Sequence, residues 1–258
     1  MPDDLPPSLL DETPPPRTVS DQLFETLYRQ IVTVALPPGT RLSEVEVARS
    51  AGVSRQPVRD AFWRLSTLGL LLVRPQRATT VTRIATGAVM RARFIRTAIE
   101  VETLQLAVER FGAAEFGALD AILAAQGQAV AAEARERFHA LDDAFHRRIA
   151  ELAGVGYVWG LVRENKAHTD RVRLLSLTSG AELALADHRT ILAALRAGDA
   201  AGAAEAMRVH HGRISGILAG IREEHPDYVA GEEEERADEE AGAGAFAPPT
   251  GGPGGARG

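Results

Sequence analysis

Cysteine is absent from this chain of 258 residues, so neither a disulfide nor a thiolate metal site is open to it. Lysine is nearly absent too: Lys166 is the one copy, and arginine carries the rest of the basic charge. Apolar residues make up 45% of the sequence, yet no uninterrupted apolar run is long enough to span a bilayer. The acidic, proline-rich N-terminus lacks a basic segment followed by an apolar one, so no secretory signal is read there. No Ser–His–Asp pattern, phosphate-cradling glycine loop or dinucleotide fingerprint occurs, which disfavours the enzyme classes those motifs serve. A cytoplasmic location without a membrane partner is expected.

What is present is segregated charge. Residues 1–16 carry four acids and no base, and residues 17–84 carry ten arginines against five acids. Residues 85–222 are nearly balanced, and residues 223–258 carry ten acids against two arginines. The formal net charge of −6 therefore conceals a basic segment at 17–84, and an acidic total is no argument against a nucleic-acid partner.

Residues 1–17 hold six prolines and no apolar periodicity, and are expected to be disordered. Residues 225–258 run from an acidic stretch into Gly, Ala and Pro, and are expected to form a solvated tail; removing residues 229–258 is expected to leave the melting temperature nearly unchanged. Between them the period is helical almost throughout. The fold class expected is mainly α: an N-terminal unit over 18–84 with a small β-hairpin, then an all-α six-helix bundle over 85–224. The bundle helices are placed at 86–111, 114–132, 134–153, 156–176, 180–197 and 199–223, separated by glycines and short polar breaks.

In the N-terminal unit, Leu23, Leu27, Ile31 and Val34 share one face of a first helix, which Pro37-Pro38-Gly39 stops. A short helix from Glu44 to Ser50, the turn Ala51-Gly52-Val53 and a helix opening at Ser54 make a helix-turn-helix. β-like runs at 70–74 and 79–84 flank Pro75-Gln76-Arg77-Ala78 and make a wing. On the third helix Ser54, Arg55, Gln56 and Arg59 lie opposite Val58, Phe62 and Leu65. Short polar groups at a helix N-terminus suit base edges, and the arginine fork pairs with guanine or with phosphate. Arg41 ahead of the second helix and Arg77 at the wing tip are further backbone or groove contacts.

These residues resemble the winged helix-turn-helix of the GntR family of bacterial transcription regulators. The match runs through Pro37-Pro38-Gly39-x-x-Leu42-Ser43-Glu44, then Val53-Ser54-Arg55-x-Pro57-Val58-Arg59-x-Ala61-x-x-Arg64-Leu65, and on to Arg74-Pro75-Gln76-Arg77. The resemblance implies a homodimer on a palindromic double-stranded operator, with Arg55 and Arg59 as principal contacts. Val45 stands where the family often has arginine after Leu-Ser-Glu, and Ala78 where the wing often has glycine.

Histidines dominate the second unit. In the helix at 134–153, Phe138, Leu141, Phe145, Ile149 and Leu152 form the apolar stripe. At about 100° per residue, Asp142 and His146 flank that stripe, while His139 and Asp143 lie further toward solvent. His188 sits among Leu185, Ile191, Leu192 and Leu195, and His210 among Met207, Ile214, Ile217 and Ile221. His211 lies at the edge of its stripe. One buried histidine is most simply a hydrogen-bonded core residue, but three centred on separate apolar faces beside a carboxylate are costly to bury uncompensated. Asp142, His146, His188 and His210 suit a divalent transition metal, Zn, Ni, Mn or Fe.

Residues 86–222 also resemble the FCD effector domain of the FadR subfamily, through Asp142-x-x-Phe145-His146-x-x-Ile149, His188-Arg189-x-Ile191-Leu192 and Ala206-Met207-x-x-His210. That resemblance implies the same four metal ligands, with a small carboxylate metabolite completing the coordination. Asn165 and His168 are candidate effector-binding residues because they project to the same side as Leu161, Val162 and Val172, and Arg96, Arg171 and Arg173 because a guanidinium fork fits a carboxylate. The bland alternative for each arginine is an ion pair within its helix, such as Arg96 with Glu100. The expected function is a ligand-responsive repressor and not an enzyme. The alternatives are a metal-dependent hydrolase, in which Asp143 or Glu151 has to serve as base, or a DNA-binding protein with a purely structural metal.

Overall fold

The computed structural model describes residues 18–73, 78–175, 179–233 and 235. The first helix, α1 (Val19–Val32), opens on a capping box in which Thr18 accepts from the Asp21 N–H while Asp21 reaches back to the Thr18 N–H. Leu27, Ile31 and Val32 are its buried face. Strand β1 (Arg41–Leu42) precedes α2 (Glu44–Ala51), which Ser43 caps. Gly52, at φ +67°, takes the left-handed conformation that ends α2 and turns the chain into α3 (Arg55–Thr67). Val58, Ala61, Phe62 and Leu65 of α3 pack on α1.

Strands β2 (Leu71–Leu72) and β3 (Thr79–Val81) follow. The wing is more than the expected hairpin, because β1 pairs with β3 as well, giving the antiparallel order β1-β3-β2 with Arg41 opposite Thr80 and Leu71 opposite Val81. A two-residue strand offers too little period for sequence patterning to reveal it. The turn residues Arg74, Pro75, Gln76 and Arg77 lie outside the described residues.

The second unit is helical: α4 (Thr86–Arg110), α5 (Ala113–Ala131), α6 (Arg135–Leu152), α7 (Val158–Asn165), α8 (Ala167–Leu175), α9 (Ser179–Arg196) and α10 (Ala200–Glu224). Leu104, Leu119, Phe145, Ile149, Ile191, Leu192 and Met207 centre its core. Seven helices, not six, are found among the described residues, because the span read as one helix at 156–176 is two. The Asn165 side chain donates to the Leu161 carbonyl one turn back (2.8 Å) at the end of α7. Lys166 at the joint keeps near-helical dihedrals, so the apolar period runs on and hides the break.

Helix α8 is buried on nearly all sides and touches both units. Ala167 joins the core of the N-terminal unit. The Tyr28 hydroxyl of α1 donates to Asp170 (2.7 Å), Arg171 donates to the Thr82 carbonyl (2.8 Å), and the His168 ring is bonded to the Gly69 backbone. Gly69 has φ +71°, and a Cβ there would lie 2.9 Å from His168 Nε2, so glycine is required twice over.

The start of the expected tail is structured, a second correction. Pro226–Tyr228 makes a 3₁₀ turn, and Val229 pairs in parallel with Ile84 and is buried with Ala230. The Glu235 carboxylate accepts from the Thr86 and Gly87 N–H groups (2.6 and 3.0 Å), placing an anion on the N-terminus of α4. Composition marked this stretch as solvated. The free edge at Ile84 and the open helix N-terminus nonetheless give its backbone and one acid a place to bind. Residues 236–258, like 1–17, lie outside the described residues.

Candidate functional site

Ser54, Arg55, Gln56 and Arg59 all stand exposed on one side of α3, and Arg41 is exposed on β1. Ser54 occupies the N-cap position with extended backbone, but its side chain makes no capping hydrogen bond, so the hydroxyl stays on the outer face. Sequence reasoning missed what holds the arginines. Glu44, the first residue of α2, accepts from Arg55 Nη2 and Arg59 Nε through one oxygen, Oε2, each at 3.0 Å. Both arginine side chains remain more than half exposed, so the pairing does not remove them from solvent. Gln56 donates to Asp60 one turn on (2.9 Å). Arg77 lies outside the described residues.

In the helical unit, α6, α9 and α10 bring Asp142, His146, His188 and His210 together. One ligand atom from each lies within 4.8 Å of all the others, and all four residues are buried. An acceptor atom lies on the Nδ1 side of each imidazole: Gln126 Oε1 is hydrogen-bonded to His188 (2.9 Å), while Glu100 Oε2 is close to His146 (2.5 Å) and Asp187 Oδ2 to His210 (3.6 Å) without hydrogen-bond geometry. An acceptor at Nδ1 favours the tautomer whose Nε2 keeps its lone pair, and those nitrogens face the Asp142 carboxylate. The Nε2 atoms of His146 and His188 have no hydrogen-bond partner, although both are buried. The ring of Phe145 stacks under His188 with centroids 4.4 Å apart.

Burial pushes His188 well below the usual imidazole range and His210 down to about 4, so both rings are neutral ligands at neutral pH. Burial acts the other way on Asp142, but Arg173 foremost, with the neighbouring imidazoles, holds that carboxyl well below its ordinary value. Neutral nitrogens and one ionised carboxylate are the donor set a divalent transition metal takes, so these residues fit the group. One feature stands against immediate occupancy: Arg173 grips both Asp142 oxygens (2.6 and 2.7 Å).

A cavity of about 450 Å³ opens beside this cluster, walled by Asp142, His210, Arg93, Arg96, Arg173 and Arg213 among others. Of the five candidate effector residues, Arg96 and Arg173 line it. Arg96 does form the expected bond to Glu100 (2.8 Å), but the pair is buried rather than on the helix surface. Asn165, His168 and Arg171 do not line the cavity. Asn165 is exposed at the end of α7, while the α7–α8 break turns His168 and Arg171 toward the N-terminal unit. Asp143 and Glu151, the bases a hydrolase would require, are held instead by Lys166 (2.8 Å) and by Arg147 and Arg148.

His211, set aside from the sequence as an edge residue, is buried against Glu100 (3.5 Å) with its other nitrogen on the Thr97 hydroxyl (3.1 Å). Glu100, Gln126 and Asp187 carry no spacing signature, since each acts from a different helix. Only their being polar residues on otherwise apolar faces marks them.

Family models match two segments: the gntR family of bacterial regulatory proteins over residues 19–81 and the FCD domain over residues 92–213. The sequence is 36% identical over 225 residues to the HTH-type transcriptional regulator YdfH of Escherichia coli O6:H1, covering 86% of this chain and 97% of that protein. It is 36% identical over 220 residues to the HTH-type transcriptional repressor RspR of Escherichia coli K12, covering 84% and 96%. Among solved structures, E. coli McbR/YncC superposes with a TM-score of 0.67 at 22% identity, covering 80% of this chain and 99% of that one, a likeness of fold.

Proposed function

This chain belongs to the GntR family of transcription regulators, with an FCD effector domain behind its winged helix-turn-helix, and from that premise we propose a metal-assisted, carboxylate-responsive repressor. It is a DNA-binding regulator rather than an enzyme. Repression is taken from RspR, whose name describes a repressor. The operator is palindromic double-stranded DNA bound by a homodimer in the cytoplasm, since a two-fold protein reads two half-sites about one helical turn apart. Arg55 and Arg59 reach base edges or phosphates, Ser54 and Gln56 add short polar contacts, and Arg41 and Arg77 hold the backbone.

The observation that carries the effector half is the convergence of four ligand atoms within 4.8 Å at the wall of an arginine-lined cavity. Asp142, His146, His188 and His210 would hold the ion, which when bound supplies a Lewis-acidic centre for an anionic oxygen. Arg93, Arg96 and Arg213 put guanidinium groups on the cavity wall, Arg96 paired with Glu100 and Arg213 with Asp187, where a small carboxylate would meet their remaining N–H donors. The ligand acts on DNA affinity to the extent that it binds the DNA-competent and incompetent forms unequally.

Footprinting on the DNA upstream of the protein's own gene tests the DNA half. Arg55→Ala is expected to lose about 1–3 kcal/mol of specific binding with helical content unchanged. An unchanged footprint sinks the assignment of α3. Elemental analysis of wild type and His188→Ala, with thermal-shift screening of carboxylates in the presence of metal, tests the effector half.

A further inference from the structure

Arg173 stands where a metal-binding carboxylate should be free. Its Nη1 and Nη2 donate to Asp142 Oδ2 and Oδ1 at 2.6 and 2.7 Å, and Nη2 lies 3.5 Å from His210 Nε2, so one guanidinium covers two of the four ligand atoms. A buried carboxylate without a cation is costly, so in the metal-free protein this contact compensates Asp142. A guanidinium and a divalent cation on the same carboxylate repel each other strongly where water is largely excluded. The two cations are therefore alternatives. Arg173 also has somewhere to go: its side chain is 17% exposed and lines the cavity, where it would join Arg93, Arg96 and Arg213.

Arg173 sits on α8, several of whose buried residues are fastened to the winged unit. Three contacts do this: Asp170 to Tyr28, Arg171 to the Thr82 carbonyl, and His168 to the Gly69 backbone. One short helix thus carries both the Asp142 partner and the joint to the DNA-binding unit.

Resting on the metal reading above, we propose that Arg173 is a displaceable counter-cation. It holds Asp142 while the site is metal-free and is released into the cavity when a divalent cation takes that carboxylate, so that α8 reports the exchange to the winged unit. Release brings the Arg173 guanidinium to a cavity whose Arg96 and Arg213 are already paired with Glu100 and Asp187, so metal and anionic effector reinforce each other through this one side chain.

The test is zinc binding to the full chain by competition with a chromophoric chelator. Arg173→Met is expected to bind zinc at least about tenfold more tightly than wild type, since the ion no longer has to displace a charge-assisted fork. Arg173→Lys keeps a cation on Asp142 but loses the fork, so it shows a smaller gain and serves should the methionine variant not fold. As a second readout, zinc changes amide exchange in α1 and β3 of the wild type and leaves it unchanged in Arg173→Met. Zinc affinity unchanged or weakened in the variants overturns the proposal while leaving the metal site standing. A wild type that takes up no zinc overturns the metal reading, and this proposal with it.

Discussion

The outer face of α3 and the histidine cluster both gather polar groups for a ligand, but they do so in opposite surroundings. Arg55 and Arg59 are more than half exposed, and their contact with Glu44 is a surface pairing in water. Asp142, His146, His188 and His210 are buried, each with a polar neighbour from another helix. The outer face of α3 is presented by one helix and tolerates local change. The histidine cluster exists only while several helices keep their positions, so its energetics are those of a core.

Effects of substitution should therefore scale with burial. Phe145→Ala, beneath His188, is expected to cost about 3–5 kcal/mol and to weaken metal binding, as urea denaturation and metal titration will show. A loss under 1 kcal/mol would mean that the cluster is not supported by core packing. Ending the chain at Glu224 removes the buried Val229 and the Glu235 anion on α4. A loss of about 2–4 kcal/mol is expected, read as a lower melting temperature. No change would return this segment to the solvated tail that composition suggests.

At the joint between the units, burial first, then the charges of Arg171 and Arg91, pushes His168 down to about 3. Its folded value is below the unfolded one, so the unfolded chain binds more protons and stability falls with pH below about 6.5. Between pH 7 and 5 wild type should lose about 2 kcal/mol more than His168→Gln, measured by denaturant titration at the two pH values. Equal losses would show that this ring is solvated. On the exposed face, Glu44→Gln should change stability by less than about 1 kcal/mol and raise affinity for duplex DNA at most about fivefold, as fluorescence anisotropy can measure. A large loss of DNA affinity would make Glu44 an aligning group rather than a competitor for the arginine forks.

The helix-turn-helix was legible because its signals are local. Gly52 at the turn, Ser54 at the helix start and the Val58–Phe62–Leu65 stripe lie within fourteen residues, and helical period alone places Arg55 and Arg59 outward. The inward faces of His146, His188 and His210 were equally readable, since an imidazole among leucines and isoleucines must turn inward with them. The α7–α8 break was not, because Lys166 stays helical while Asn165 closes the helix before it. Nor was the docking of residues 228–230 on Ile84, which is made by backbone groups that carry no residue signature.

The sequence by itself determined which faces of each helix are apolar, where α3 starts and which histidines point inward, because those follow from local signals and a fixed angle per residue. Tertiary structure alone decided that Arg173 rests on Asp142, that His168 and Arg171 serve the joint rather than the cavity, and that Glu100, Gln126 and Asp187 come up beside the imidazoles. Those outcomes depend on distances between helices far apart in the chain, set by how the whole core packs rather than by any local period.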